Sequence, residues 1–248
     1  MSASATTHAL VQSHLPELKL LARGKVRDVY EVDAQQLLFV ATDRLSAFDV
    51  VMANGIPGKG KILTQLSLFW FDLLKPHGPN HLLTADMAQM PAVVQRYRDQ
   101  LDGRCMLVKK LQIFQVEAIV RGYLSGSGLK EYQTSGTVCR IALPTGLVES
   151  SKLPAPLYTP STKAALGTHD QNIHPAEAAK LLGQDFADQI EQRAITLYSA
   201  ARDYAAGRGI IIADTKFEFG LDEHGTLTLM DEVLTPDSSR YWPLETYR

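Results

Sequence analysis

Residues Ile212–Gly220 read IADTKFEFG, an acid, a base and a second acid at alternate positions of an otherwise apolar run. Side chains alternate faces along a strand, so Asp214, Lys216 and Glu218 share one face while Thr215, Phe217 and Phe219 share the other. Two readings are open here. The charges are a salt-bridged cluster that only fixes register, or a stripe built to hold a charged ligand. Burying ions for stability alone is unfavourable, because a hydrophobic replacement often does as well. A second strand-like run, TLTLMDEVL, follows LDEHG, a hairpin signal in which Gly225 closes the turn. A symmetric turn over residues 222–225 would set Lys216 opposite Asp231 and Glu218 opposite Leu229, bringing Asp231 onto the charged face. Three carboxylates and a lysine on one sheet face suit Mg2+ and polyphosphate: carboxylate oxygens hold the cation and the ammonium neutralises phosphate oxygens.

Working outward, VEAIVRGYLSGS puts Glu117, Ile119, Arg121 and Tyr123 on one strand face. Arg121 offers a fork matched to carboxylate or phosphate, and Ser127, in a glycine-bracketed turn, adds a hydroxyl. The alternative is a strand arginine with a solvated head. Similarly, TPDSSRYW places Ser238, Ser239 and Arg240 just after a turn, which suits a phosphate or simple loop polarity. RGKVRDVY sets Gly24 beside Lys25 and Arg27 between strand-like segments, consistent with a hairpin lid over phosphates. GIPGKGKI satisfies G-x-x-x-x-G-K from Gly55 to Lys61, but the next residue is Ile62, where a P-loop needs a Ser or Thr hydroxyl.

The whole chain limits these choices. Its 248 residues, 45% of them hydrophobic, are enough for one large domain or two modest lobes. With 25 Lys plus Arg against 27 Asp plus Glu, a net charge of −2 gives no electrostatic footprint for nucleic acid. Cys105 and Cys139 form no metal or disulfide pattern and fit a reducing compartment, so a cytoplasmic location is expected. The start, MSASATTHALVQSHLP, lacks a signal-peptide plan, and no run approaches the roughly 20 apolar residues of a membrane span.

LKLLARGKVRDVYEV and QQLLFVATD read as strands, and KILTQLSLFWFDLL as an amphipathic helix with Ile62, Leu66, Phe69, Trp70, Leu73 and Leu74 on its apolar face. MLVKKL and FQVEAIVRGYL are further strands, after which GSGLKEY breaks the apolar pattern. A change of lobe is expected near Lys110–Ile113, giving lobes 1–112 and 113–248. A Pro-, Ser- and Thr-rich loop covers KLPAPLYTPSTKAALGTHDQN. Helical sequence then runs from Pro175 towards Gly207, with Leu181, Leu182, Phe186, Ile190, Leu197 and Tyr198 as its buried face.

Taken together, these segments resemble the phosphoribosylaminoimidazole-succinocarboxamide synthase (SAICAR synthetase) family of purine biosynthesis, from about Leu20 to Trp242. VEAIVRGYLSGS and IADTKFEFG carry the resemblance most specifically. RGKVRDVY, ATDRLSAFDVVM, IPGKGKILTQLSLFWF, TPSTKAALGTHDQNI and MDEVLTPDSSRYW support it. The family implies an α+β, two-lobed fold related to ATP-grasp and protein-kinase architectures, with the active site in the interlobe cleft. It implies an ATP-dependent ligase joining L-aspartate to 5-amino-1-(5-phosphoribosyl)imidazole-4-carboxylate, giving SAICAR, ADP and phosphate through an acyl phosphate. By matching motifs, Gly24, Lys25 and Val26 would lie over the ATP phosphates, and Lys110, Leu111 and Ile113 would form the hinge that meets adenine. Lys163 would join the nucleotide site. Glu218 and Asp231 would bind Mg2+, Lys216 would face the transferred phosphoryl group, and Asp214 the substrate's polar edge. Arg121, Ser127, Ser238 and Arg240 would hold the ribotide, and Asp43, Arg44, Ser46 and Asp49 of DRLSAFD would belong to the substrate site, with Asp170 near it. Gln115 stands where the family usually has proline. Relatives continue after the SSRYW segment whereas this chain stops at Arg248, so it reads as shortened at its C-terminus. Two alternatives remain, a non-catalytic nucleotide or ribotide binder and a generic phosphotransferase; the second leaves Arg121, Ser127 and Arg240 unexplained as a separate anion site.

Overall fold

Runs of Leu, Val, Tyr and Phe in the first part of the chain, broken by Arg23-Gly24-Lys25, build a sheet. In the computed structural model, which describes residues 8–47, 50–163 and 171–247, the chain divides into two compact units. One comprises Met1–Phe71 and His81–Leu111, the other Asp72–Asn80 and Gln112–Arg248.

The first unit contains β1 (Lys19–Arg23), β2 (Arg27–Glu31), β3 (Gln36–Ala41), β4 (Ser46–Ala47), β5 (Val50–Val51), most of α1 (Lys59–Leu74), whose end at Asp72–Leu74 belongs to the second unit, β6 (Leu82–Thr84), α2 (Ala92–Gln95), α3 (Arg98–Leu101) and β7 (Cys105–Lys109). Five strands form an antiparallel sheet in the order β1-β2-β3-β7-β6, and β4 pairs with β5. Leu38, Val40, Val94, Leu101 and Leu107 fill its core. The α1 helix buries Leu63, Thr64, Ser67, Trp70, Phe71 and Leu74, whereas Ile62 and Phe69, expected inside, are 59% and 42% exposed. The polar Thr64 and Ser67 belong to the buried stripe, and counting them rotates the face by about one residue. The P-loop look-alike has a packing role: a Cβ on Gly60 would lie 2.1 Å from the Ala41 carbonyl oxygen, and the Gly60 N–H donates to Asp43 at 2.9 Å.

The second unit contains β8 (Gln112–Ile113), β9 (Val116–Tyr123), α4 (Gly126–Ser135), β10 (Thr137–Val138), β11 (Ile141–Ala142), β12 (Lys152–Tyr158), β13 (Ser161–Thr162), β14 (Gln171–Asn172), α5 (Pro175–Leu182), α6 (Gln184–Ala206), β15 (Ile210–Leu221), β16 (Leu227–Met230) and β17 (Ser239–Pro243). Its main sheet runs β14-β13-β9-β15-β16, with β12 added to β9 and both β8 and β17 added to β15. β15 is the spine, and Phe217, Phe219, Ile212, Leu197 and Tyr198 are fully buried around it.

Four expectations are corrected in this unit. GSGLKEY is helical, opening α4 at Gly126, where φ is 55° and a Cβ would meet the Arg240 guanidinium at 2.3 Å; the glycines are demanded by close approach, not flexibility. KLPAPLY is a strand rather than a loop, its prolines tolerated because β12 pairs only with β9 and shifts register between Lys152 and Leu157. The helical stretch is broken at Gly183, with φ of 82°, and Leu181 is 62% exposed while Ala178 and Leu182 carry the inner face. Finally, the hairpin register is displaced by one: Glu218 pairs with Met230 and Phe219 with Leu229. The loop has five residues, because Asp222 accepts from the N–H groups of His224 and Thr226 at 3.0 and 2.9 Å and so extends the turn to Thr226. Asp231 therefore lies just past the end of β16, at a φ of 69°. Among the described residues, no helix is long and apolar enough to cross a membrane.

Candidate active site

Strand pairing puts Asp214 between two arginines. Its Cα partner on β9 is Arg121, and on β17, beyond a bulge, it is Arg240. Both guanidiniums donate to Asp214 Oδ2, Arg121 at 3.4 Å and Arg240 in a close ion pair, and the Ser125 hydroxyl donates to the same oxygen at 3.0 Å. Arg121 is 2% exposed, and its Nε donates to Thr159 Oγ1 at 3.0 Å while one terminal nitrogen reaches Ser127 Oγ at 2.9 Å. Burial pushes the Arg121 pKa down, Asp214 pulls it back up and the Arg240 charge lowers it again. Two cations share one buried carboxylate, an excess of positive charge that suits an anion. The Arg240 side chain is 48% exposed, so this centre has a solvent-facing side.

Two residues further along β15 the balance reverses. Lys216 Nζ donates to Glu117 Oε1 at 2.8 Å and lies 3.6 Å from Glu218 Oε1, while Lys163 forms a close ion pair with the other Glu218 oxygen. Lys216 reaches Glu117 diagonally, because its direct β9 partner is Ile119. Ser161 fixes Glu117 from the next strand with a 3.1 Å hydrogen bond. Burial would lower the Lys216 pKa, but the charges of Glu117, Glu218 and Asp231 outweigh it and hold it above its ordinary value. The Glu218 carboxyl is pushed up by burial and by the neighbouring Asp231 charge, against Lys163 and Lys216. Asp231 thus acts on both residues electrostatically despite the shifted register.

Of the expected site residues, Arg121, Ser127, Asp214 and Arg240 come together, as do Lys163, Lys216, Glu218 and Asp231. The Ser238 carbonyl accepts from the Lys216 backbone N–H at 3.0 Å. Ile113 lies in β8, 42% exposed. In the first unit, Gly24, Lys25 and Val26 form the β1–β2 turn, with Gly24 and Lys25 exposed. Lys110 Nζ donates to Glu31 at 3.1 Å, Leu111 is half-buried, and Ser46 is half-buried in β4. Asp43 and Arg44 are turned inward: Asp43 accepts from Arg104, Leu10 and Gly60, and Arg44 donates to Asp28 and three backbone carbonyls. Asp49 and Asp170 lie outside the described residues. Glu117, Ser125, Thr159 and Ser161 were not singled out as site residues, although Glu117 shares the Arg121 face and was legible by alternation.

Comparison with known proteins gives the family. The SAICAR synthetase family model matches residues 20–248. The chain belongs to the SAICAR synthetase family. Phosphoribosylaminoimidazole-succinocarboxamide synthase of Leptothrix cholodnii is 57% identical, over 98% of this chain and 80% of that protein, and its namesake from Methylibium petroleiphilum is 59% identical over the same shares. Among solved structures, the SAICAR synthase of Saccharomyces cerevisiae, complexed with SAICAR, superposes with a TM-score of 0.89 at 50% identity, over 96% of this chain and 81% of that one. A SAICAR synthetase in complex with ADP gives a TM-score of 0.74 at 30% identity, over 92% and 85%. The α+β class agrees with these SAICAR synthetase neighbours.

Proposed function

We propose that this SAICAR synthetase joins L-aspartate to 5-amino-1-(5-phosphoribosyl)imidazole-4-carboxylate at the expense of ATP, in the cytoplasm, with the two charge centres of β15 doing different parts of the work. The observation that carries the reading is their spacing: an arginine-rich centre at Asp214 and a lysine–carboxylate centre at Lys216 and Glu218, two residues apart on one strand. A ribotide has an anion at one end and its reacting carboxylate at the other, so it needs two such places.

Arg121, Ser127 and Arg240 hold the ribotide phosphate, with Ser238 beside them, while Asp214 keeps the two guanidiniums aligned and meets the substrate's polar edge. Lys216 faces the reacting carboxylate and the phosphoryl group, its ammonium kept charged by Glu117 and Glu218. A carboxylate resists attack by an amine until one oxygen becomes a leaving group. The carboxylate oxygen therefore bonds to the γ-phosphorus of ATP and ADP departs, leaving an acyl phosphate. The aspartate amine then attacks the acyl carbon, and the departing phosphate carries off the proton that the amine sheds. Phosphoryl transfer needs positioning and charge neutralisation more than covalent help, and both are what this stripe offers.

Glu218 and Asp231 would hold Mg2+, and the fit is electrostatic: the Glu218 carboxyl is raised by burial and by Asp231, a strain that a divalent cation would relieve. Magnesium is commonly held by one or two carboxylates together with phosphate oxygens and water, the set that Glu218 and Asp231 would complete. When bound, the ion would neutralise charge on the phosphates. Lys163 would serve the same end of the nucleotide. In the first unit, Gly24, Lys25 and Val26 would cover the phosphates, and Lys110 and Leu111, with Ile113 of the second unit, would meet adenine. Ser46 and Asp49 would reach substrate, whereas Asp43 and Arg44, engaged inside the unit, would act through the backbone they hold. Release of ADP tests the function: it should require the imidazole ribotide and aspartate together with ATP. Equal ATP turnover without aspartate would mean a kinase or ATPase instead.

A further inference from the structure

We infer that Arg44 is a positioning residue that turns the β1–β2 loop into a phosphate-binding backbone by drawing two successive carbonyls inward. Its Nε donates to the Lys25 carbonyl at 3.1 Å, and its terminal nitrogens donate to the carbonyls of Gly24 at 2.9 Å and Val11 at 2.6 Å. A fourth bond, 2.8 Å to Asp28 Oδ1, meets its charge. Asp28 is fully buried and also accepts from the Ser13 N–H at 3.0 Å and hydroxyl at 2.6 Å. Four of the five guanidinium donors are thus committed inside the unit, and the side chain is only 10% exposed. A cation so engaged holds backbone; it is not a clamp for a ligand.

The consequence follows from peptide geometry. The Gly24–Lys25 and Lys25–Val26 peptides are trans, so in each the N–H points opposite to the C=O. Carbonyls of Gly24 and Lys25 aimed at Arg44 therefore direct the amides of Lys25 and Val26 to the other side of the turn. The next carbonyl, of Val26, is fixed by the Thr42 N–H at 3.0 Å and hydroxyl at 2.7 Å, which closes the turn against β3. Successive amides on one side of a turn make an anion-binding concavity, and the adjoining Lys25 adds charge. Lysine could not replace Arg44: an ammonium has three donors on a point charge and lacks the planar fork that spans three carbonyls and a carboxylate.

This inference rests on the proposed reading of the turn as a nucleotide lid, and the nucleotide's phosphates are the ligand. The probe is ADP with magnesium. In the wild-type protein, ADP should slow amide exchange at Lys25 and Val26, followed by NMR; no slowing overturns the inference. Arg44→Lys should raise the ADP Kd about tenfold or more, as expected for lost hydrogen bonds to a charged group. It should speed amide exchange at residues 24–26 and leave ribotide affinity unchanged. Unaltered ADP affinity, or equal loss for both ligands, refutes a positioning role. Lys25→Ala separates the two levels: weakened ADP binding with wild-type amides unprotected retains the lid but refutes the Arg44 mechanism, whereas unaltered ADP binding with unprotected amides removes the lid reading and the inference together.

Discussion

Each unit buries charge, but in opposite ways. In the first, each buried acid among the described residues is matched: Asp43 is fully buried, and although burial pushes its pKa up, the Arg104 hydrogen bonds and the N–H groups of Gly60 and Leu10 more than reverse this and hold it below its ordinary value. Asp28 is likewise met by Arg44, Arg23 and Ser13. In the second, the matching is incomplete by design of the sheet. Two arginines converge on Asp214, and Glu218 is raised by burial and by Asp231 although two lysines face it. Satisfied charges hold a backbone in place, whereas crowded like charges wait for a counter-ion. Burial alone does not distinguish Asp43 from Glu218; the direction in which each carboxyl is shifted does.

Asp43→Asn should break the first unit most severely. The isosteric amide strands Arg104 as a buried charge, a loss of about 3–5 kcal/mol, and for a chain of this size that lowers Tm by roughly 10 °C. Thermal unfolding measures it. A wild-type Tm would mean that the first unit's charges are as dispensable to the fold as the second unit's are expected to be.

Lys216→Met gives the complementary result. Loss of the ammonium facing the reacting group should cut ADP formation by about 10²–10³, while the fold survives because Lys163 still faces Glu218 and the Ser161 hydroxyl still meets Glu117. Retained turnover with a collapsed Tm would make Lys216 a strut between Glu117 and Glu218. Arg240→Ala is milder. Its half-exposed side chain contributes little to stability, so Tm should barely move. Ribotide affinity should fall by about 1.5–3 kcal/mol for a charged hydrogen bond, with ATP affinity unchanged. Calorimetric titration with each ligand checks this, and parallel losses would contradict separate centres.

Much of this contrast was legible in the sequence. The period-two runs gave the strands, and alternation along IADTKFEFG and VEAIVRGY put Asp214, Lys216, Glu218, Glu117 and Arg121 on the faces where they meet. Register was not legible, because it depends on Asp222 bonding two backbone N–H groups and lengthening the turn. Helix α4 was hidden by Gly-Ser-Gly, which local propensity reads as loop; its glycines lie where arginine side chains pack closely, a Cβ on Gly128 coming within 3.2 Å of Arg121. Nor could the sequence tell that Asp43 and Arg44 face inward, since their partners Arg104 and Asp28 are adjacent only in space.

The smallest expected effect, Asp231→Asn in the ligand-free protein, tests the comparison most sharply because its sign is opposite to that of Asp43→Asn. Asp231 has a φ of 69°, a conformation that asparagine tolerates as well as aspartate, so the exchange removes charge without disturbing the backbone. It takes away one of the two causes that raise Glu218, and apo stability should rise by about 0.5–1 kcal/mol, even as magnesium-dependent turnover falls. Acidification should mimic this in the wild type. A carboxyl whose folded pKa is raised binds its proton more readily in the folded state, so stability increases as pH falls through that value towards the unfolded 4.5. Asp43 acts the other way and in a lower window: its folded pKa is depressed below 3.8, so the stability it contributes is lost only as pH drops beneath that. Ligand-free Tm measured from neutral pH downward should therefore rise in the wild type before it falls, and Asp231→Asn should flatten the rise while leaving the acid limb in place. A lower apo Tm in Asp231→Asn at neutral pH, with ADP formation intact, would make the second unit's charges scaffolding like those of the first.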